Sequence, residues 1–228
     1  MSVVLFSGGM DSTACLAVEV AEGDPVVALS VDYGQRHAKE IAAAAEITAH
    51  YGVEHVVVDL SVLQHVLRSA LTGDMDVPDG HYAEQSMRQT VVPNRNMIML
   101  SVAAGVASSR DMNRVVTAVH AGDHYIYPDC RPEFISAVST ATRLGTATFG
   151  DVEVEAPFVH VTKTDIVRIG HDANAPLAMS WSCYKGGDIH CGACGTCYER
   201  REAFINAGVL DQTMYAETPT YNTPEGVS

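Results

Sequence analysis

The chain has 228 residues, of which 47% are hydrophobic, and this is enough apolar sequence to bury one sizeable core. Its formal net charge is −14, and its only lysines are Lys39, Lys163 and Lys185. This balance argues against a surface that binds nucleic acid nonspecifically, because neutralising phosphates requires clustered lysine and arginine.

The first predicted strand, residues 3–6, runs into the turn Ser7-Gly8-Gly9-Met10-Asp11-Ser12, and a helix is predicted over residues 13–21. The adjacent glycines permit a sharp turn with exposed backbone N–H groups, the serines add hydroxyl donors, and the helix brings its positive end to an anion. The pattern is neither G-x-x-x-x-G-K-[ST] nor G-x-G-x-x-G, two other nucleotide-binding sequences. A tight turn that is merely rich in serine and glycine is the alternative to a phosphate site.

The S-G-G-x-D-S pattern resembles the PP-loop of the N-type ATP pyrophosphatases. The resemblance implies that the turn holds the pyrophosphate end of ATP and leaves the α-phosphorus facing the second substrate. The implied reaction is adenylation with release of pyrophosphate. Asp11 would then help to hold Mg²⁺ against the phosphates, since this cation prefers carboxylate and phosphate oxygens.

Strands and helices alternate through most of the chain. This predicts an α/β fold with a doubly wound parallel sheet, helices on both faces and ligands beyond the carboxyl ends of the strands. Residues 72–89 contain Gly, Asp and Pro without sustained periodicity and are predicted to form a loop over the site. The other predicted strands are residues 26–31, 55–58, 114–119 and 152–158, and the other predicted helices are residues 36–51, 94–109, 132–144 and 162–171.

The sequence before residues 3–6 holds no basic region, and no apolar segment there is long enough for a signal peptide or a membrane span. We therefore expect a cytoplasmic protein with no membrane partner, folded as a single domain over residues 1–228. Residues 211–228 are rich in Thr, Pro and Asn and are expected to form an irregular tail.

Beyond Ser180 the strand and helix pattern gives way to glycines and cysteines, and residues 180–210 hold four cysteines with the spacing C-x7-C-x2-C-x2-C. Such thiolates can converge on one ion, and a closed set of four is typical of a structural zinc site that keeps no position open for substrate. Iron–sulfur ligation is the alternative, and a colourless protein would exclude it. Disulfides are not expected in a cytosolic chain of this size. The predicted ligands are Cys183, Cys191, Cys194 and Cys197.

Two cysteines lie outside this cluster. Cys15 is on the first predicted helix and is expected to be a small buried residue. Cys130 is expected to pack as well, with a nucleophilic thiol as the alternative. An ATP site in so acidic a chain must concentrate its few cations, and the candidates are Arg36, Arg95, Arg131 and Lys163.

Six motifs, taken in order, resemble those of the 7-cyano-7-deazaguanine (preQ0) synthases over almost the full length of the chain. They are residues 7–12, Tyr33-Gly34-Gln35-Arg36-His37, Val92-Pro93-Asn94-Arg95-Asn96, Tyr127-Pro128-Asp129-Cys130-Arg131, Lys163-Thr164-Asp165-Ile166 and the four cysteines. The resemblance implies conversion of 7-carboxy-7-deazaguanine to its nitrile with ammonia and two ATP, through an adenylated carboxylate, an amide and an adenylated amide. It also implies a zinc ion, free ammonia as the nitrogen source and a homodimer.

The resemblance implies catalytic roles for Asp11, Lys163 and Arg95, with Lys163 stabilising the charge that develops on pyrophosphate. It implies contact with nucleotide or substrate for Gln35, Arg36, Asn94, Asp123 and Asp129, and it leaves His37 either in that role or as a structural histidine. The family's ATP-binding segment corresponds to Phe6, Ser7, Gly8, Gly9, Met10, Asp11, Ser12, Thr13, Ala14, Cys15 and Leu16.

The chain departs from the family pattern at two places. Asn94 stands where the family usually has glycine, and asparagine tolerates the left-handed conformation better than most residues. Gly122-Asp123-His124-Tyr125-Ile126 replaces the usual Thr-Asp-Phe-Ser-Gly, and the retained Asp123 is expected to read guanine-like donors. This second departure leaves open whether the reaction ends at the amide or at the nitrile.

Two rival interpretations remain. Another PP-loop ligase or a tRNA-modifying enzyme would share the turn, but the acidic balance disfavours an RNA surface. A zinc-stabilised module that binds nucleotide without turnover would bind ATP and release no pyrophosphate. We favour the interpretation that the family resemblance implies, an ATP-dependent ligase that acts on a small deazapurine carboxylate.

Overall fold

The computed structural model describes residues 1–34, 39–66, 91–123 and 127–217, and within them five parallel strands form one sheet. The strand order is β3-β2-β1-β4-β5, so the sheet is doubly wound, as the sequence predicts. The strands are β1 (Ser2–Leu5), β2 (Val26–Asp32), β3 (Glu54–Asp59), β4 (Arg114–Val116) and β5 (Glu153–Glu155). The helices are α1 (Met10–Ala21), α2 (Lys39–Tyr51), α3 (Arg95–Ser109), α4 (Pro132–Thr146), α5 (Lys163–Asp172) and α6 (Gly195–Ala207).

Strand β1 lies where the order of the sheet reverses. Val3 is paired with Val27 of β2 on one side and with Val115 of β4 on the other. The chain builds outward from β1 to β3 and then returns to place β4 on the opposite side of β1. Such a switch point leaves a crevice beyond the carboxyl ends of the two central strands, and proteins of this topology bind their ligands there.

Alternate residues of the central strands enter two hydrophobic cores, one on each face of the sheet. Val3 belongs to the core that includes residues of α3 and α4, and Val4 belongs to the core that includes residues of α1, α2, α5 and α6. Leu100 of α3 and Ile166 of α5 are fully buried in these cores. Burial on both faces explains why β1 and β2 are almost continuously apolar in sequence. Among the described residues, no helix combines the length and apolar character needed to cross a membrane.

Two predicted strands are shorter than their apolar sequence indicates. β4 ends at Val116 rather than at residue 119, and β5 covers Glu153–Glu155 rather than residues 152–158. The Thr117 N–H still donates to the Glu155 carbonyl at 2.9 Å, after which the chain leaves the sheet. The apolar residues that follow β4 line the crevice and its surroundings, so their hydrophobicity marks burial and not strand structure.

The helices differ from the prediction mainly at their N-termini. α1 begins at Met10 and not at residue 13, since the turn needs only residues 7–9. α6 was not predicted, because glycine and cysteine dominate the sequence where it begins. The predicted loop over the site, residues 72–89, lies outside the described residues.

One buried carboxylate depends on a cation from a neighbouring strand. Glu19 of α1 is 4% exposed and accepts a hydrogen bond of 2.7 Å from the Ser2 hydroxyl. Arg114 of β4 donates to Glu19 at 3.2 Å and to Glu155 at 2.9 Å, and so it joins α1, β4 and β5. A charge buried to this degree is tolerated because it is both paired and hydrogen-bonded.

Arg114→Met should lower the free energy of unfolding by about 3 kcal/mol, because it leaves Glu19 buried without its cation. Chemical denaturation followed by circular dichroism measures the change. Arg110→Met is the matched control, since Arg110 pairs with Glu54 at 2.8 Å where both side chains reach solvent, and its loss should cost less than about 1 kcal/mol. Equal losses in the two variants would show that Arg114 contributes no more than a surface ion pair does.

Candidate functional site

Residues 7–9 form the turn between β1 and α1 at the carboxyl end of the central strand. Gly8 has a φ of +76°, a conformation that favours glycine. The hydroxyls of Ser7 and Ser12 are 3.1 Å apart, and Ser12 also donates to the Gly9 carbonyl. Gly9 precedes α1 and offers no side chain to cap it. The N–H groups of the first turn of α1 are therefore available to an anion, which the helix dipole also favours.

Backbone contacts hold this turn from two sides. A Cβ at Gly8 would collide with the Glu40 carbonyl oxygen and would lie 2.8 Å from the Ala44 nitrogen, so only glycine lets the turn approach α2 so closely. On the other side, the Trp181 N–H donates to the Gly8 carbonyl at 2.9 Å. The position of the turn is thus set by α2 and by the segment that leads to the cysteines.

The turn opens into a cavity of about 240 Å³ at the switch point of the sheet. Polar groups of the turn share its wall with aromatic and apolar side chains, a composition typical of sites for small organic molecules. The apolar part of the wall includes Phe6, Met10, Tyr33, Met99, Trp181 and Tyr184.

Lys163, the first residue of α5, lies between two carboxylates. Its Nζ is 3.3 Å from Asp11 Oδ2 and 2.6 Å from Glu199 Oε2. His120 Nε2 is 3.8 Å from the same oxygen of Asp11. The Gly122 N–H donates to His120 Nδ1, so the proton of the neutral ring is on Nε2. The structure therefore brings together Asp11 and Lys163, two of the three predicted catalytic residues, beside the glycine turn of residues 7–9.

The second oxygen of Asp11 is placed to bind a metal ion. Asp11 Oδ1 is buried and has no hydrogen-bond partner among the residues that the structure describes. A buried carboxylate oxygen without a donor is unfavourable, and a divalent cation that also binds phosphate oxygens would satisfy it. The residues present fit the Mg²⁺ that the sequence pattern implies.

Arg95, the third predicted catalytic residue, also reaches the cavity wall. Its guanidinium donates to the Tyr33 hydroxyl at 3.4 Å and lies 5.8 Å from the centre of the Tyr33 ring. Glu40 lines the same cavity, and burial raises its pKa to about 7 although the charge of Arg95 opposes this shift. Glu40 is not among the residues predicted from the sequence, where its one signal is its place shortly after the carboxyl end of β2.

Arg200 of α6 is a cavity-lining cation that the sequence analysis also missed. It is 1% exposed and donates to the hydroxyls of Ser180 and Ser182 at 2.8 and 3.1 Å, and to the Leu177 carbonyl at 2.7 Å. These bonds join α6 to the segment that leads out of α5. No sequence signal marked Arg200, because the helix that carries it was itself not predicted.

The predicted substrate residues take different positions. Asn94 is exposed and precedes α3 with a φ of 56°, the left-handed conformation expected of a residue that replaces glycine. The Asp129 carboxylate accepts a hydrogen bond of 3.0 Å from the Asn96 N–H at the start of α3, and Asp129 is not among the described residues that line the cavity. Gln35, Arg36, His37 and the side chain of Asp123 lie outside the described residues.

The remaining candidates lie at the edge of the site or in the cores. Arg131 is exposed, precedes α4 and is not among the described residues that line the cavity. Cys15 is fully buried, and burial raises its pKa, as expected of a packing residue. Cys130 is 3% exposed and lines the cavity, where its sulfur accepts a hydrogen bond of 3.2 Å from the Asn96 side chain.

The ligating sulfur atoms of the four cysteines lie within 4.8 Å of one another. Zinc–sulfur bonds of about 2.3 Å place tetrahedral ligands roughly 3.8 Å apart. Cys197 Sγ is 3.9 Å from that of Cys191 and 3.4 Å from that of Cys194. The N–H groups of Ala193 and Cys194 donate to Cys191 Sγ at 3.3 and 3.2 Å, and such bonds stabilise thiolates. The donor set fits one tetrahedral metal ion.

Gly192 lets the end of the described chain pack against the cysteine loop. Its φ is +77°, and a Cβ there would overlap the Glu217 carbonyl oxygen. The Glu217 N–H donates to the Cys191 carbonyl at 3.2 Å, and the Ala216 N–H donates to the His190 carbonyl at 2.8 Å. The first residues of the predicted tail are therefore held against the metal segment, and residues 218–228 lie outside the described residues.

Known proteins resemble this chain along nearly all of it. The family model for "Queuosine biosynthesis protein QueC" matches residues 1–208. The 7-cyano-7-deazaguanine synthase of Ruegeria pomeroyi is 50% identical over 217 residues, and that of Sinorhizobium fredii is 51% identical over 217 residues. Each alignment covers 95% of this chain, with 94% of the first relative and 92% of the second.

A solved structure supports the fold alone. The chain superposes on a 4-thiouridine synthetase in complex with RNA and bound ATP with a TM-score of 0.52 and 14% identity, over 91% of this chain and 50% of that one. Similarity at this level shows a shared architecture and says nothing of a shared reaction. The family match and the identity to the two synthases go further, and they show that this chain belongs to the QueC family of queuosine biosynthesis proteins.

Proposed function

We propose that this chain is an ATP-dependent carbon–nitrogen ligase that converts 7-carboxy-7-deazaguanine and ammonia into 7-cyano-7-deazaguanine. The observation that carries the proposal is the uncapped N-terminus of α1 at the glycine turn, with Lys163 Nζ 3.3 Å from Asp11 and a cavity beyond it. The relatives that are 50% and 51% identical to this chain bear the name of this activity.

The chemistry requires each carboxylate oxygen to become a leaving group. A carboxylate oxygen attacks the α-phosphorus of ATP, the bond from that phosphorus to the pyrophosphate oxygen breaks, and pyrophosphate leaves. Ammonia then attacks the carbonyl carbon, AMP leaves with one oxygen, and loss of a proton gives the amide. The amide oxygen attacks a second ATP in the same way, and loss of AMP and protons forms the nitrile. Both substrate oxygens end in AMP.

The residues of the site supply binding and charge stabilisation for these steps. The N–H groups at the start of α1 and the hydroxyls of Ser7 and Ser12 hold the pyrophosphate end of ATP. Lys163 stabilises the charge on the leaving pyrophosphate, and Arg95 orients the substrate carboxylate. Asp11 Oδ1 would hold Mg²⁺, which neutralises phosphate charge when bound.

The remaining features of the proposal concern partners and assembly. Free ammonia supplies the nitrogen, ATP and the deazapurine are the other substrates, and no nucleic acid takes part. The enzyme works in the cytoplasm as a homodimer, and residues 1–228 fold as a single domain. Zn²⁺ occupies the four-cysteine cluster and serves structure and not the reaction, because a closed set of four ligands leaves no position for substrate.

The fate of the two carboxylate oxygens tests the reaction directly. With ¹⁸O in both positions of 7-carboxy-7-deazaguanine, mass spectrometry should find nitrile and two AMP molecules that each carry one label. An amide product with one labelled AMP would move the endpoint to the amide. Release of ADP, or of pyrophosphate only when tRNA is added, would contradict the proposal.

Lys163→Gln should lower the rate of pyrophosphate release by about a hundredfold, because the developing charge loses its cation. Coupled pyrophosphate assays at saturating ATP measure the effect. Arg168→Gln is the matched control, since Arg168 lies on the same helix with 49% of its side chain exposed and should retain the rate. A similar loss in both variants would assign the effect to α5 as a whole.

The purified chain should contain stoichiometric zinc, no iron and no visible absorption, as elemental analysis and spectroscopy will show. Cys194→Ser should lose the metal and lower the melting temperature, because the closed site contributes folding free energy. Cys15→Ala removes a buried thiol outside the cluster and should retain the zinc. A coloured protein that contains iron would contradict the zinc assignment and indicate an iron–sulfur cluster.

A further inference from the structure

Helix α6 connects the metal cluster to the nucleotide site within one helical turn. Cys194 occupies the N-cap position of this helix and Cys197 lies in its first turn. Both belong to the four-cysteine cluster. Glu199 and Arg200 lie two and three residues after Cys197; Glu199 contacts Lys163, and Arg200 lines the cavity. Two of the four side chains that a metal ion would fix are therefore joined by one helix to the side chains that meet the site.

Glu199 gives the Lys163 head group a defined position. The two groups are 2.6 Å apart, and their side chains are 19% exposed for Lys163 and 15% exposed for Glu199. The flexible lysine stem otherwise has many rotamers. Loss of the Glu199 carboxylate would remove the shorter of the two ion pairs and let the ammonium move toward Asp11. In the proposed function this would draw the cation away from the phosphates and compete with Mg²⁺ for the Asp11 carboxylate.

Glu199 is itself held from both sides along the helix. Cys197, two positions earlier, is a ligand of the cluster. Arg200, the next residue, donates to Ser180 and to Thr213 at 2.8 and 2.9 Å, on segments before and after the helix. A displacement of α6 at its metal-binding end would therefore move the Glu199 carboxylate and the ammonium that it holds.

We propose that Glu199 is a positioning residue for Lys163, and that through this contact the four-cysteine metal site and the ATP site stabilise each other. The inference rests on the proposed binding of ATP at residues 7–12. Because coupling between two binding sites is reciprocal, ATP should raise the affinity for the metal by the same factor by which the metal raises the affinity for ATP.

The first test compares Glu199→Gln with Glu202→Gln in the zinc-loaded enzyme. Glu199→Gln keeps the size of the side chain and one acceptor oxygen but removes the negative charge. Glu202 is exposed on the same helix and serves as the control. Glu199→Gln should lower kcat for pyrophosphate release by about tenfold or more, with KM for the deazapurine unchanged. Glu199→Asp should recover part of the rate because it restores the charge, and Glu202→Gln should match the wild type.

The second test measures the coupling without turnover. Zinc affinity is determined by competition with a chromophoric chelator, with and without an ATP analogue whose α,β-bridge is methylene. The analogue should raise zinc affinity by about fivefold or more in the wild type and in Glu202→Gln, and should have little effect in Glu199→Gln.

Several outcomes would overturn the inference. The first is a wild-type rate of pyrophosphate release in Glu199→Gln. The second is a lower rate in that variant together with loss of zinc or a lower melting temperature. The third is an equal effect of the ATP analogue on zinc affinity in Glu199→Gln and in the wild type. A wild-type enzyme that binds the analogue away from residues 7–12, or that releases no pyrophosphate, would instead refute the proposed function. Measurements on the wild type alone therefore distinguish a failure of the proposed function from a failure of this inference.

Discussion

The close approach of Gly8 to the backbone of α2 is the contact on which the site depends. It requires a left-handed residue without a Cβ, and it sets where the N–H groups at the start of α1 point. The Trp181 N–H holds the same residue from the opposite side. The conformation of the glycine turn is therefore fixed by backbone contacts with neighbouring elements. Its serine hydroxyls add hydrogen-bond donors to these backbone N–H groups.

This construction suits a chain with a net charge of −14. Backbone N–H groups and a helix dipole bind an anion without adding formal charge, so few cations are needed. Each cationic side chain at the cavity has a defined partner. Lys163 pairs with Asp11 and Glu199, and Arg95 contacts Tyr33. Arg200 donates to hydroxyl and carbonyl groups. Any attraction of the site for an anion is therefore local, since the net charge of the whole molecule opposes it.

The segment that carries the four clustered cysteines also completes the wall of the cavity. Trp181, Ser182, Tyr184 and Thr196 lie beside the four ligands in sequence and line the cavity. Trp181 also donates from its ring nitrogen to the Cys183 carbonyl at 2.9 Å, so this wall and the first ligand move together. A metal ion held by the four cysteines would therefore fix part of the cavity wall without lying in the cavity.

The alternation of strands and helices, the glycine turn after β1 and the cluster of four cysteines could be predicted from the sequence, because each depends on local spacing or on residue types with few other uses. The left-handed conformation of Asn94 agrees with the sequence, since asparagine tolerates that conformation better than most residues. The lengths of β4 and β5, the existence of α6, and the positions of Glu40, Glu199 and Arg200 at the cavity or its lysine became visible only in the folded chain. These depend on residues distant in sequence: Glu199 meets Lys163 across two helices, and no periodicity within either helix records the contact.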